Sequence, residues 1–584
     1  MSDQQRSALT PAGRAEHLAR LRAATAQAPL DVLVVGGGVN GAGAAFDAAT
    51  RGLSVGLVES HDWASGTSSR SSKLMHGGLR YLQMLDFKLV AEALRERDLL
   101  LEHTAPHLVK PIKFVFPFFR KVVDRGFIGS GVMLYDAMQS IGRKRAVPFH
   151  RHLLHEKMLE VFPALDGEKA VGALEYYDAQ MDDARFVMML VRSAAQHDAA
   201  VANYTTVVGY LHEGEQVIGA RVRDEETGEE FEVHARETIL AGGVWTQEQQ
   251  ELAGAEAGLE VLASKGIHIT VARDRIPAAP DTGIITQTEK SVLFIIPWDE
   301  YWVIGTTDTP WTQDPRDVGA TRDDIDYVLD HANEVLADDL TREDVIGVYS
   351  GLRPLLQPIA KSAGKGEGKG SAKVSREHTV MEVEPGLSAI AGGKYTTYRV
   401  MAEDVVDFAI KDSQPGRPSL TRSIPVVGAQ GYQALVRDKQ EIGRRYGFDE
   451  IRTDRLLFRY GALLSDVLAL IDANPDLAAP LEHAPRYLRA EVSYAVRAEG
   501  ARHLADVLQR RTRLDYETRD RGVAAAEEIA EILAPELGWD QTAVRREVEA
   551  YRDVIDARRA GESVTSDEIV AARLAGVSEV PVKN

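Results

Sequence analysis

A short apolar run, Asp31–Val35 (DVLVV), leads straight into Gly36-Gly37-Gly38-Val39-Asn40-Gly41, and that junction restricts the N-terminal fold more than any other feature. Gly36 permits a sharp turn out of a strand. Gly38 lets a phosphate approach the backbone. Gly41 allows the next helix to pack close to the sheet. The Ala-rich stretch Asn40–Thr50 suits that helix. A second apolar run, Leu53–Val58, ends at Glu59. Strand, glycine turn, helix, strand and acid fall in register within about 30 residues, as a dinucleotide-binding βαβ unit requires. Free N–H groups at the helix start, Asn40 among them, favour a pyrophosphate. The Glu59 carboxylate accepts ribose hydroxyls and repels a 2′-phosphate.

The turn alone does not separate a nicotinamide from a flavin dinucleotide. The segment Gly66–Leu82 (GTSSRSSKLMHGGLRYL) adds to it. Its small residues pass against a flat ring system, and its hydroxyls and N–H groups cap a polar edge. Thr67, Ser68, Ser72, Lys73, His76, Gly77 and Gly78 are the candidates there. Two further glycine sites follow. One is Gly242-Gly243 after the strand Glu237–Ala241, with Trp245 beside it; the other is Gly392-Gly393-Lys394. A bulky cofactor touched from distant parts of the chain points to FAD. The fold class expected is α/β: a Rossmann-type FAD domain, a substrate domain with a mixed or antiparallel sheet, and a C-terminal α-helical domain.

The chain has 584 residues and no cysteine, which excludes disulfides, thiolate metal sites and flavin attachment through sulfur. A net charge of -20 argues against nucleic-acid binding. No stretch is apolar enough to span a bilayer, and residues 1–30 lack a signal-peptide core. Thr10-Pro11 reads as a helix start, with Leu18 and Leu21 on the packed face of a short N-terminal extension. A cytoplasmic site is the simplest fit. The charge is uneven, however. Between Lys110 and Lys157 ten Lys/Arg face three acids, interleaved with Phe114, Phe116, Phe118, Phe119, Phe127 and Tyr135. That stretch reads either as an anionic-lipid surface or as core aromatics with a basic rim. His150, His152 and His155 lie in it without zinc spacing, so no metal site is expected.

Val292–Ile296 and Trp302–Ile304 read as strands beside the first domain. The Gly/Lys/Ser-rich stretch 361–373 reads as a mobile loop. After about residue 430 the periodicity turns helical, over Leu456–Ile471, Tyr487–Leu508 and Val523–Leu533. The expected domains are 1–30, a helical extension; 31–105, 178–250 and 345–415, a discontinuous FAD domain; 106–177 and 251–344, the substrate domain; 430–545, a helical domain; and 546–584, a tail, helical at first and then mobile.

Taken together, VVGGGVNGAGAAFDAATRGLSVGLVE, GTSSRSSKLMHGGLRYL, DDARFV (Asp182–Val187), KGIHI (Lys265–Ile269), IPW…IGTTDT (Ile296–Thr309), YSGLRPL (Tyr349–Leu355), SREHTV (Ser375–Val380) and GGKYTTYR (Gly392–Arg399) resemble the respiratory, FAD-dependent glycerol-3-phosphate dehydrogenases. That family sits within the D-amino-acid-oxidase-like flavoproteins. HGGLRYL together with GGK-x-TTYR is the specific part. Glu491–Leu514 resembles the family's C-terminal module.

The resemblance implies oxidation of sn-glycerol 3-phosphate to dihydroxyacetone phosphate, FAD as hydride acceptor, a membrane quinone as electron acceptor, and a peripheral position on the inner face of the cell membrane. A phosphate dianion needs fixed cations and donors. Arg80, Arg353, Arg376 and Lys394 fall in matching motifs, with Tyr81, Thr306 and Thr307 as neutral donors. One of these cations alternatively sits near the flavin, and Arg399 is equally a structural helix-end residue. The substrate hydroxyl must lose a proton, and histidine suits that task. His268 is the preferred base, with Arg353 steering the forming alkoxide; His76, beside Gly77-Gly78, shapes the ring's surroundings. Three rivals remain: an oxidase that passes electrons to oxygen and releases hydrogen peroxide, a flavoprotein without catalysis, and an amine or amino-acid oxidase. The surplus of cations disfavours the last. A homodimer is left open.

Overall fold

The computed structural model describes residues 6–78, 87–120, 123–140, 146–255, 259–288, 292–357 and 378–580. Arg80, Tyr81, Arg376 and the stretch 361–373 lie outside them.

The first sheet grows from the glycine junction. Leu30–Val35 lies between Val55–Val58 and Glu230–Leu240, parallel to both. Ala200–Ala202 extends one side and Leu387–Gly392 the other, again in parallel, and His378–Glu384 closes that edge antiparallel. Central strands buried on both faces read as continuous apolar runs, which is why DVLVV stands out in the sequence. Helix Val39–Thr50 packs its alanines against Asp183–Gln196 and Tyr398–Ile410 in the largest core. The N-terminal helix Pro11–Arg22 is capped by Thr10 and buries Leu18 and Leu21 on the other face of the sheet.

The second sheet is mixed. Its strands run in the order Thr309–Trp311, Glu260–Ala272, Tyr301–Gly305, Val292–Trp298, Thr282–Gln287, Val109–Phe118, Gly172–Met181 and Leu74–Met75. Thr282–Gln287 and Val109–Phe118 pair in parallel; the other pairs are antiparallel. Val345–Gln357 pairs with residues 260–271 of Glu260–Ala272. This differs from the expected domain limits. Residues 74–75, 178–181 and 345–357 pair in this sheet rather than in the first, because strand pairing follows backbone register and not position in the chain.

The C-terminal region is helical, with breaks that periodicity conceals. Gly461 (φ 56°) separates Glu450–Tyr460 from the next turns, and Gly500 (φ 67°) ends Arg489–Glu499. The tail is also structured further than expected. Helix Gln541–Gly561 is followed by Asp567–Leu574, which buries Val570, Ala571 and Leu574.

Candidate active site

The glycine turn folds as its spacing requires. Gly36 has φ 111°, and a side chain there would meet the Ala241 carbonyl at 2.6 Å. A side chain at Gly41 would strike the Gly36 carbonyl. Gly38 caps helix Val39–Thr50 without a side-chain hydrogen bond, so the helix start is presented by backbone. The Val39 N–H donates to Ser68 Oγ at 2.9 Å. Asn40 keeps a buried Oδ1 with no partner. Glu59 accepts from the Gly37 N–H at 2.6 Å, which places its carboxylate beside the turn.

Segment Gly66–Met75 joins this cradle to the second sheet. Gly66 abuts the Trp245 ring. Thr67 donates to the Leu352 carbonyl at 2.6 Å. Ser72 Oγ lies 2.9 Å from His268 Nε2. Lys73, a cofactor candidate, is turned inward instead: fully buried, it donates to Asp183 at 2.8 Å and lies over Tyr349. Burial pulls its pKa down to about 8, against the pull of Asp183. Its charge is therefore matched inside the protein, not offered to a ligand. Gly77 donates to Tyr135 Oη at 3.0 Å and to Asp178 at 3.1 Å, and Gly78 has φ 76°. The His76 carbonyl accepts from Thr396 at 3.0 Å, tying this turn to Gly392–Lys394. Gly392 and Gly393 both have positive φ. Gly242 precedes the short turn Gly243–Trp245.

The second half of the site is set by strand register. On Glu260–Ala272, Ser264, Gly266 and His268 share a face. Opposite them, in order, stand Arg353, Gly351 and Tyr349. This face meets the joining segment, since a side chain at Gly351 would run into Arg70. Arg353 donates to Thr306 Oγ1 at 3.0 Å and to the Thr307 carbonyl at 3.0 Å, with Asp308 at 3.5 Å. Any side chain at Gly266 would collide with both Arg353 and Thr306. The Thr307 hydroxyl, expected as a second substrate donor, accepts from the Ile267 N–H at 3.0 Å. It serves the strand, whereas the Thr306 hydroxyl accepts from Arg353 and donates to the Thr307 carbonyl at 3.2 Å.

His268 is buried and stacks on Tyr349, with ring centroids 4.8 Å apart and planes 10° apart. Burial first, then the charges of Arg353 and Lys73, hold its pKa well below the usual imidazole value. These effects favour the neutral form of the ring over the charged one. Arg399 pairs with Glu96 at 2.7 Å and with Glu403 at 2.8 Å, which settles it as structural. His150 bonds Asp136 and packs edge-on against His152, His152 also lies against Phe118, and His155 bonds the Gly167 carbonyl. Tyr349 and Asp183 were not foreseen as site residues, although both lie in the quoted motifs.

A glycine-backbone cradle joined through Gly66–Met75 to a sheet face bearing His268 and Arg353 is the arrangement of a nucleotide-dependent oxidoreductase. Residues 31–399 match the model of the FAD-dependent oxidoreductase family, and residues 419–544 match the C-terminal domain of alpha-glycerophosphate oxidase. The chain belongs to this family of FAD-dependent oxidoreductases.

Within it, the chain is similar to glycerol-3-phosphate dehydrogenases. It is 48% identical over 563 residues to glycerol-3-phosphate dehydrogenase 2 of Mycobacterium tuberculosis, covering 96% of this chain and 93% of that protein. It is 35% identical to the glycerol-3-phosphate dehydrogenase of Synechocystis, covering 90% and 96%. The FAD-complexed glycerol-3-phosphate dehydrogenase of Bacillus halodurans superposes with TM-score 0.76 at 27% identity, covering 94% of this chain and 98% of that one.

Proposed function

We propose that the chain oxidises sn-glycerol 3-phosphate to dihydroxyacetone phosphate and passes the electrons to a membrane quinone. One observation carries the reading. A neutral, buried His268 and the Arg353–Thr306 pair share a sheet face that meets the segment linking the glycine cradle. Bound FAD supplies the two-electron acceptor. Gly36 and Gly41 hold the turn tight against the sheet, Gly38 leaves its pyrophosphate room at the helix start, and Glu59 would hold a ribose.

Arg353 and Thr306 grip the phosphate, with Gly266 leaving the space. Lys394, on the glycine turn behind, adds positive charge. His268 takes the hydroxyl proton at Nε2, the nitrogen that reaches Ser72. Because burial keeps the imidazole neutral, this base remains in its working form below the usual histidine pKa.

The quinone reading is supported by the surface around 110–157. Phe114, Phe116, Phe118 and Tyr135 are core, but Phe119, Met133, Leu134, Phe149 and Leu154 are exposed, Met133 at 61% and Leu154 at 67%. Exposed apolar side chains among lysines and arginines suit an anionic bilayer surface. Among the described residues no helix is long and apolar enough to cross a membrane.

Anaerobic glycerol 3-phosphate is expected to bleach the visible absorption of the FAD-loaded protein, and a soluble quinone analogue to restore it. A flavin that stays yellow would defeat the substrate assignment. Rapid reoxidation in air with stoichiometric hydrogen peroxide would move the reading to an oxidase.

A further inference from the structure

We propose that the chain carries a second anion site, outside the cleft, that holds a small soluble organic phosphate. A cavity of about 270 Å³ opens where strand Val345–Gln357 begins, against helix Arg322–Asn333 and the C-terminal helices. Arg342, Arg519, Arg521 and Arg559 line it, with Glu562 the one carboxylate among the lining residues. In a chain of net charge -20 this is a local reversal of sign. The cavity meets the strand at Val345, four residues before Tyr349, roughly 13 Å away at the strand rise.

The four arginines are not equivalent. Arg521 is buried and bridges Glu562, at 3.0 and 3.1 Å, to the Val348 carbonyl at 2.9 Å. Arg342 pairs with Asp326 at 2.6 Å. Among the described residues, Arg519 and Arg559 have no carboxylate in salt-bridge contact. Arg519 donates to the carbonyls of Glu343, at 2.8 Å, and Val345, at 3.3 Å. Arg559 donates to the Arg519 carbonyl at 2.8 Å. Carbonyls fix the direction of a guanidinium without cancelling its charge. Two such groups, oriented over one cavity, suit a phosphate, which arginine grips through paired N–H donors.

The occupant's size follows from the volume. Sites for drug-sized ligands run to roughly 300–1,000 Å³, so this one takes a phosphate on a short carbon chain. Ile325, Val345 and Ile346 supply the apolar wall for that chain. A phospholipid headgroup carries the same chemistry and is separated by experiment.

Inorganic pyrophosphate is titrated calorimetrically into the FAD-loaded full chain, wild type and R519Q/R559Q. The wild type is expected to show saturable binding, of which one class weakens at least tenfold in the double variant. Anaerobic flavin reduction by glycerol 3-phosphate should be the same in both. R559Q alone, which removes a single backbone hydrogen bond, should weaken the same class and serves if the double variant does not fold. Identical pyrophosphate binding in wild type and variants would assign all anion binding to the cleft and overturn the proposal. It would equally fall if variant-sensitive binding occurred with phosphatidylglycerol vesicles and not with free pyrophosphate.

Discussion

Arg511 and Arg353 differ in their company, and the difference separates two regions of the molecule. Arg511 belongs to the seam between the FAD domain and the C-terminal helices. There Asp62, completely buried, accepts from Arg510 at 2.5 Å and from Arg511 at 2.6 Å. Arg185 pairs with Glu499 and Arg513 with Asp182. Burial would raise the Asp62 pKa, but Arg511 and Arg510 hold it below the ordinary carboxylate range. Arg353 instead rests on a carbonyl and a hydroxyl, with Asp308 farther off and 28% of its side chain exposed. Seam arginines meet their carboxylates at close range and in full burial, whereas Arg353 meets Asp308 at 3.5 Å and is partly exposed. Residue type within a motif does not distinguish them; the distance and burial of the neighbouring carboxylate do.

The contrast implies that cleft changes alter rate and spare stability, while seam changes do the reverse. The largest effect is expected at His268. His268→Gln should slow anaerobic flavin reduction about 100- to 10,000-fold, with FAD content and Tm kept. A loss under tenfold would hand the proton to another group. Asp62→Ala leaves the buried Arg511 without its carboxylate, while Arg510 retains Asp506 at 2.9 Å, and should cost about 3–5 kcal/mol of stability, read from the denaturant midpoint. If Tm held and only turnover fell, the seam would be functional and the contrast would fail. Arg353→Ala should lower kcat/KM for glycerol 3-phosphate by about 1.5–3 kcal/mol, with flavin binding and Tm unaltered. A matching fall in Tm would move Arg353 into the seam class.

The two regions were also unequally legible in the sequence. The cradle is local: DVLVV, the glycine turn, the Ala-rich helix and Glu59 are contiguous, so steric rules alone place them. His268, Arg353 and Thr306 were identified through motif resemblance. What brings them together is register, with Arg353 opposite Ser264 and Tyr349 opposite His268. No local pattern encodes that pairing, so Tyr349 went unassigned, and the pairing of Val345–Gln357 with Glu260–Ala272 was not foreseen. The inward turn of Lys73 was hidden for the same reason, because its partner Asp183 lies 110 residues away. In the helical domain, apolar spacing runs across Gly461 because Leu456, Leu457, Leu464 and Leu468 all reach the same core. Periodicity records the buried face and passes over the break.

The seam also contains a histidine, and its titration sharpens the contrast with the neutral His268. His503 lies between Glu226, 3.0 Å from Nε2, and Glu547, 2.8 Å from Nδ1, while Asp506 accepts its backbone N–H. Burial works against a charge there. The hydrogen bonds to Glu226 and Glu547, with the charges of Glu547 and Asp506, outweigh it and push the pKa up to about 10. A pKa raised in the folded state stabilises fully below the unfolded value of about 6.5, and that contribution is lost as pH climbs toward 10. Arg502 also pairs with Glu226, at 2.8 Å. Between pH 7.5 and 8.5 the wild type should therefore lose up to about 1.4 kcal/mol more stability than His503→Gln, measured by urea unfolding of the FAD-loaded protein. Parallel losses in the two proteins would mean that no imidazolium bridges Glu226 and Glu547, and that the seam, like the cleft, holds its histidine neutral.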